Sequence, residues 1–307
     1  MIRSIVLASV LLATTAGTAD AQQDPTVLFI GNSFTYGHGS AARFYRADTV
    51  TDLNDEGIGG VPAFFKSFTE QAGLEYDVYL ETRGGSGFEF HLENKMPELT
   101  SRAWDYVVAH GQSTLDLQNP GDPTKFLASG REFVEVLTRN DPGTEIYLTS
   151  TWSRADMTYP ADGTWHGRPI ETLALDVRRY YDELARLPGV AGINPVGEAW
   201  NRAMREGVAD PNPYDGVAEG QLDLWTWDHY HASTAGYYLE ALVVFGNVTG
   251  VDPRSLGRGE CSGFELGLST DQVEALQRVA YEELVAQGIE TRAQARAEAA
   301  RQSRCAA

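Results

Sequence analysis

The segment VLFIGNSF, at residues 27–34, is the part of the chain that says most about its fold. Four consecutive apolar residues, without the polar alternation of a half-exposed strand, are typical of a strand buried on both faces of a parallel sheet. A glycine and polar residues end this run, so Ser33 should lie at the carboxyl end of the strand. Open parallel sheets bind their ligands at that end.

Short apolar runs recur along the chain and alternate with helical patterns, which indicates an α/β fold with one parallel sheet and helices on both faces. The predicted strands are Thr26–Ile30, Tyr76–Thr82, Tyr106–His110, Glu145–Thr151 and Val190–Asn194. The predicted helices are Pro62–Gly73, Thr124–Asn140, Leu173–Leu187, Val196–Gly207, Thr234–Gly250 and Thr270–Gln287.

The N-terminus has the composition of a secretory signal peptide. An arginine, a short apolar stretch and an A-x-A site make up residues 1–21, which predicts a periplasmic or secreted protein. We assign residues 22–290 to a single domain and residues 291–307 to a C-terminal tail. No later segment is apolar for the roughly 18–20 residues that a membrane span needs.

The charge and the cysteines limit the partners and the cross-links that we expect. A formal net charge of −19 argues against nucleic acid as a partner, because neutralising phosphates takes lysine and arginine. Cys261 and Cys305 are the only cysteines. Export would allow them to form a disulfide, although Cys305 could equally be unpaired in the tail.

Three residue types needed for nucleophilic catalysis occur in a suggestive order. A serine hydroxyl needs a base to take its proton, and an imidazole needs a carboxylate to fix its tautomer. Ser33 follows the first strand, and Asp228 and His231 stand three positions apart near the C-terminus. Gly84–Gly87 and Gln112 follow two further predicted strands, so we expect them at the same edge of the sheet as Ser33.

These segments together resemble the sequence blocks of the SGNH (GDSL-like) hydrolase superfamily, and the resemblance runs through nearly the whole mature chain. The matching segments are Gly31–Thr35, Gly84–Gly87, Trp104–Ser113 and Asp228–His231. The resemblance implies a flavodoxin-like three-layer fold and ester hydrolysis. It implies a catalytic triad of Ser33, His231 and Asp228, with an oxyanion hole formed by Ser33, Gly87 and Gln112.

Two positions depart from the family pattern. Asn32 stands where the first block usually has Asp, and Gln112-Ser113 replaces the Asn-Asp of the third block. The chain resembles a branch that carries Gln-Ser at this point and is often found among sugar-ester hydrolases. Gln112 is then either an oxyanion donor or a buried amide that satisfies loop backbone groups, and Gly85 is an alternative donor to Gly87.

Other histidines and aromatic residues bear on the site and on the substrate. His91 and His110 should form hydrogen bonds around the site rather than act on substrate. A metal held by His229 and His231 is a weak alternative, and we expect neither metal nor cofactor. Several aromatic residues near the edge suit sugar rings, or else they pack beneath long loops; they are Trp152, Tyr159, Trp165, Trp225, Trp227 and Tyr230.

The leading hypothesis is an exported serine esterase that acts on a small-molecule or carbohydrate ester, with acetyl groups on carbohydrate as a candidate substrate. The alternative is a carbohydrate-binding module that has kept the fold and lost catalysis.

Overall fold

The computed structural model describes residues 23–293, and a six-stranded parallel sheet lies at their centre. Its strands β1–β6 are Thr26–Gly31, Thr51–Asp52, Asp77–Thr82, Tyr106–Ala109, Glu145–Ser150 and Val190–Pro195. They lie side by side in the order β2-β3-β1-β4-β5-β6, and every neighbouring pair is parallel. Without the two-residue β2, the five longer strands have the flavodoxin-like order 2-1-3-4-5. The predicted fold class is therefore confirmed.

Strand β1 is buried on both faces, as its apolar run predicts. Val27 and Phe29 contribute to one hydrophobic core, whereas Leu28 and Ile30 contribute to a second. Successive side chains of a strand point to opposite faces, so the two cores lie on opposite sides of the sheet. Helices α1, α6, α7 and α9 cover the first side, and α2, α4 and α5 cover the second.

The six predicted helices are present with ends shifted by a few residues. The helices α1–α9 are Gly60–Ala72, Phe88–Asn94, Met96–Leu99, Thr124–Asn140, Glu171–Leu184, Val196–Arg205, Thr234–Thr249, Cys261–Glu265 and Thr270–Ala286. The sequence did not predict α2, α3 and α8, because a helix of one or two turns shows too little of the 3.6-residue period. It also missed β2, which pairs only with β3 at the edge of the sheet.

The ends of the chain are only partly described. The predicted signal peptide, residues 1–21, and Cys305 lie outside the described residues, so export and the pairing of Cys261 with Cys305 stay predictions. Ordered structure runs past residue 290, because Arg292 forms backbone hydrogen bonds with Gly250 and Asp252. Within residues 23–293, no helix combines the length and the apolar character needed to cross a bilayer.

Glu240, in the middle of α7, is an acid enclosed by the core. Its Oε2 atom has no hydrogen-bond partner among the described residues, and burial raises the pKa of its carboxyl well above 4.5. The folded protein therefore keeps a proton that the unfolded chain releases. By linkage, stability should fall as the pH rises above 4.5, until the folded carboxyl also ionises.

We predict that Glu240→Gln removes this pH dependence. Between pH 4.5 and the raised pKa of Glu240, the free energy of unfolding of the wild type should fall by about 1.4 kcal/mol per pH unit relative to the variant. Denaturant unfolding at several pH values measures this difference, with Glu290→Gln as an exposed control. Parallel profiles of the wild type and Glu240→Gln would contradict the prediction.

Candidate active site

The loops after β1, β3 and β4 meet at the carboxyl edge of the sheet, and the Asn32 side chain joins them. Its Nδ2 donates hydrogen bonds to the carbonyl oxygens of Ser86, at 2.9 Å, and Gly111, at 3.4 Å. Its Oδ1 accepts the Phe34 N–H at 3.1 Å. An ionised aspartate could not donate to either carbonyl, so the departure from the family pattern at position 32 has a direct structural consequence.

The approach of these loops is close enough to require glycine at position 31. A Cβ there would lie 2.2 Å from Thr35 Oγ1 and 2.6 Å from His110 Nε2. These two atoms are themselves 2.7 Å apart. Any larger residue at position 31 would therefore break the contact between the first and third loops.

His110 is a neutral hydrogen-bonding residue in this arrangement. Its Nδ1 lies 2.9 Å from the Gly111 carbonyl oxygen and must donate to it. Burial lowers the pKa of His110 to about 4, so Nε2 carries no proton near neutral pH and accepts from the Thr35 hydroxyl. The histidine supports the loop that holds Ser33, as the sequence suggested.

Gln112 is buried, and its side-chain amide already forms hydrogen bonds within the protein. Its Nε2 donates to the carbonyl oxygen of Gly85 at 3.0 Å, and its Oε1 accepts the Ser113 N–H at 2.8 Å. An amide nitrogen carries two hydrogens, so one remains for another acceptor. Both interpretations made from the sequence therefore fit: Gln112 satisfies a loop carbonyl and still has a hydrogen to offer.

Backbone donors are also open at this edge. The N–H groups of Ser33, Gly85 and Gly87 donate no hydrogen bond to another residue within the described part of the chain. Gly85 has a φ of +73°, in the left-handed region that favours glycine, whereas Gly87 is extended at the start of α2. Both N–H groups are therefore available as oxyanion donors.

The second half of the site is a short turn that leads into α7. The Ser233 side chain caps α7 by accepting the Gly236 N–H, so the helix begins directly after the turn. Asp228 Oδ2 lies 2.6 Å from His231 Nδ1. Asp228 Oδ1 accepts the backbone N–H groups of Tyr230, at 3.0 Å, and His231, at 2.9 Å.

These hydrogen bonds set the protonation of the pair. Burial acts against ionisation of Asp228, but the bonds from His231, Thr226 and Tyr230 outweigh it and hold the pKa of Asp228 below its usual value. Burial lowers the pKa of His231 below 6.5, although Asp228 acts in the opposite direction. Nδ1 therefore donates to a carboxylate, and Nε2 is free to accept a proton.

The loop that carries Ser33 packs against the His231 ring. The ring centroid of Phe34 lies 5.8 Å from that of His231, and the ring of His38 lies 4.4 Å from it. The Ser33 carbonyl oxygen accepts the His38 N–H and the Tyr237 hydroxyl, both at 3.1 Å. The sequence identified neither His38 nor Tyr237, because their roles depend on contacts between distant segments.

Three of the six aromatic residues near the edge are packing residues. Trp152, Trp165 and Trp225 are buried, and Trp152 stacks on Phe34 with ring centroids 4.0 Å apart. For these three tryptophans, the packing interpretation is correct. Trp227 is different, since it is 80% exposed and directly precedes Asp228.

His229 and His231 have different neighbours. The His229 ring lies 4.3 Å from the ring of Tyr214, while His231 contacts Asp228. Within residues 23–293, no group of three or more His, Cys, Asp or Glu side chains could hold a metal ion.

Comparisons with known proteins bear on the fold. A scan against protein-family models finds no match, and a search of curated proteins finds no similar sequence. Solved structures do match. A DUF4886 family protein from Bacteroides uniformis has a TM-score of 0.57 and 18% identity, covering 88% of this chain and 98% of its own.

Two more solved structures are similar to this chain. A proposed SGNH hydrolase from Slackia heliotrinireducens has a TM-score of 0.50 and 20% identity, covering 74% of this chain and 100% of its own. A catalytic mutant of an acetylxylan esterase from Geobacillus stearothermophilus has a TM-score of 0.50 and 15% identity, covering 80% of this chain and 95% of its own. This chain has the SGNH hydrolase fold.

Within the SGNH fold, the structure gathers the predicted site residues at one edge. Ser33, Gly87 and Gln112 follow β1, β3 and β4, and Asp228 and His231 lie in the turn before α7. Their catalytic roles, and the branch that carries Gln-Ser, remain predictions.

The lowered pKa of His231 predicts the pH dependence of any SGNH-type hydrolysis. In its predicted role of general base, His231 must be neutral to accept a proton. The value of kcat/KM should therefore rise with pH and level off above an apparent pKa below 6.5. Initial rates with p-nitrophenyl acetate between pH 4.5 and 8 measure this rise in kcat/KM, after correction for spontaneous hydrolysis. An apparent pKa of 7 or higher would contradict the assigned environment of His231.

Proposed function

We propose that this chain is an exported serine esterase that hydrolyses acyl esters, with acetylated carbohydrate as its substrate class. The observation that carries the proposal is the hydrogen bond between Asp228 and His231, placed against the loop of Ser33. The SGNH fold is compatible with this chemistry, and an acetylxylan esterase is among the proteins of similar structure.

The reaction begins with the hydroxyl of Ser33. As its Oγ attacks the ester carbonyl carbon, the proton passes to His231 Nε2 and the C=O electron pair moves onto the oxygen. Asp228 accepts the Nδ1–H of His231, which fixes the tautomer and stabilises the imidazolium. The oxyanion is bound by the backbone N–H groups of Ser33 and Gly87 and by the second amide hydrogen of Gln112.

Collapse of this intermediate breaks the ester C–O bond. His231 gives its proton to the oxygen of the departing alcohol, and the acyl group remains bound to Ser33 Oγ. A water molecule then attacks the acyl carbon, with His231 taking its proton, and a second collapse releases the carboxylic acid and returns the proton to Ser33. Each step uses the same donors, so the oxyanion site acts twice in a turnover.

Two features support a carbohydrate as the alcohol part. A cavity of about 380 Å³ opens beside Gly85 and Gln112, and its wall mixes apolar and polar side chains, including Phe90 and Gln118. Trp227 presents an exposed aromatic face next to Asp228. Flat apolar faces beside hydrogen-bonding groups suit a sugar ring.

Single substitutions test the mechanism by the order of their losses in kcat. Ser33→Ala should lower kcat for p-nitrophenyl acetate by at least about ten-thousand-fold, because no other group supplies the nucleophile. Gln112→Ala should lower kcat by roughly a hundred- to thousand-fold through loss of one oxyanion donor. Ser101→Ala, in an exposed loop, is the control.

Equal rates for Ser33→Ala and the wild type would overturn the esterase proposal. A wild type that hydrolyses no ester yet binds sugars would identify the chain as a binding module instead.

Trp227→Ala tests the carbohydrate part of the proposal. We expect KM for acetylated xylo-oligosaccharides to rise about three- to ten-fold with the loss of one ring contact. The rate with p-nitrophenyl acetate, which has no sugar, should stay unchanged. Phe264→Ala, which removes an exposed aromatic side chain from α8, is the matched control, and equal KM values for both variants would refute a role for Trp227.

A further inference from the structure

A buried acid–histidine pair lies outside the proposed triad. Glu81, near the end of β3, contacts His91 of α2 through Oε2 and Nδ1, and both side chains are completely buried. His91 Nε2 lies 3.0 Å from Ser86 Oγ. The connectivity of serine, histidine and glutamate is that of a catalytic triad, so the positions of the protons decide whether Ser86 can act as a nucleophile.

The hydrogen of the Ser86 hydroxyl is directed away from His91. Ser86 Oγ lies 2.7 Å from the Arg83 carbonyl oxygen, and a hydroxyl at that distance donates to the carbonyl. His91 Nε2 must then be the donor to Ser86 Oγ. A base that already holds its proton cannot activate the serine, so the network anchors Ser86 and does not make it a nucleophile.

Ser86 is held at each of its polar groups. Its N–H donates to the Arg83 carbonyl at 3.2 Å, and its own carbonyl accepts from Asn32 Nδ2 at 2.9 Å. The peptide group is planar and trans, so the N–H of the next residue points opposite to a given carbonyl. Fixing the Ser86 carbonyl therefore fixes the direction of the Gly87 N–H, one of the candidate oxyanion donors.

We propose that Glu81 and His91 are positioning residues that set the Gly87 N–H through Ser86. The inference rests on the proposed esterase function. Both side chains are completely buried, and one hydrogen bond from His91 Nε2 carries their effect to the Ser86 side chain. Asn32 acts on the same peptide from the side of Ser33, so the donor is held between two anchors.

The test uses the double variant Glu81→Leu/His91→Phe. Replacing both partners by apolar side chains leaves no unpaired buried charge, which protects folding. We expect kcat for p-nitrophenyl acetate to fall about ten- to hundred-fold through misplacement of one donor, with KM changed by less than about two-fold. The affinity for a boronic acid, whose tetrahedral adduct uses the same donors, should fall in parallel.

Two more variants separate positioning from stability. Glu81→Gln keeps a hydrogen-bonding group opposite His91 Nδ1 and should retain kcat within about three-fold, since an amide offers both a donor and an acceptor. Leu276→Ala, in the buried face of α9, lowers the unfolding temperature without touching the site and should leave kcat unchanged. Wild-type kcat and boronate affinity in the double variant would overturn the proposal.

Hydrogen exchange keeps this test separate from the esterase proposal. If Ser33→Ala leaves hydrolysis unchanged, the esterase proposal fails, and exchange at the Ser86 amide then decides the positioning role. The double variant should exchange this amide at least about ten-fold faster, because the anchor of the turn is lost. Exchange at the wild-type rate would overturn the positioning role on its own.

Discussion

Parallel pairing of β1 with strands on both sides is the constraint from which the site follows. β1 pairs along its length with β3 and with β4, so the chain leaves all three strands at the same edge. Segments that are some fifty to eighty residues apart in sequence are thereby brought within hydrogen-bonding distance, as the contacts of Asn32 with Ser86 and Gly111 show. The register of the sheet brings these loops together, and side-chain hydrogen bonds fix their details.

Amide side chains hold the loops in their relative positions. Asn32 and Gln112 each donate to a carbonyl of the glycine-rich loop, at Ser86 and Gly85 respectively. A carboxylate at position 32 would face two carbonyl oxygens without a hydrogen to share, and burial would increase that cost. The asparagine therefore fits the buried contacts of this chain. Its hydrogen bonds do not involve the N–H groups of Ser33 and Gly87, which remain available as donors.

Local pattern was enough to predict most of the fold but only part of the site. The buried strands and the longer helices follow from periodicity, and the carboxyl-edge rule correctly grouped Ser33 with Gly84–Gly87 and Gln112. The roles of His38 and Tyr237 could not be predicted, because each depends on a partner from a distant element. The same limit applied to the tryptophans, whose burial depends on what packs above them.

The identity of the nucleophile is the central claim, and a covalent probe tests it most directly. A fluorophosphonate labels an activated serine. Trypsin places Ser33 and Ser86 on different peptides, because Arg43 and Arg83 lie between them and Lys95 ends the peptide of Ser86. Mass spectrometry should find the label on the peptide that contains Ser33 and none on the peptide of residues 84–95. A label on Ser86, or an intact protein that takes up no label, would contradict the account.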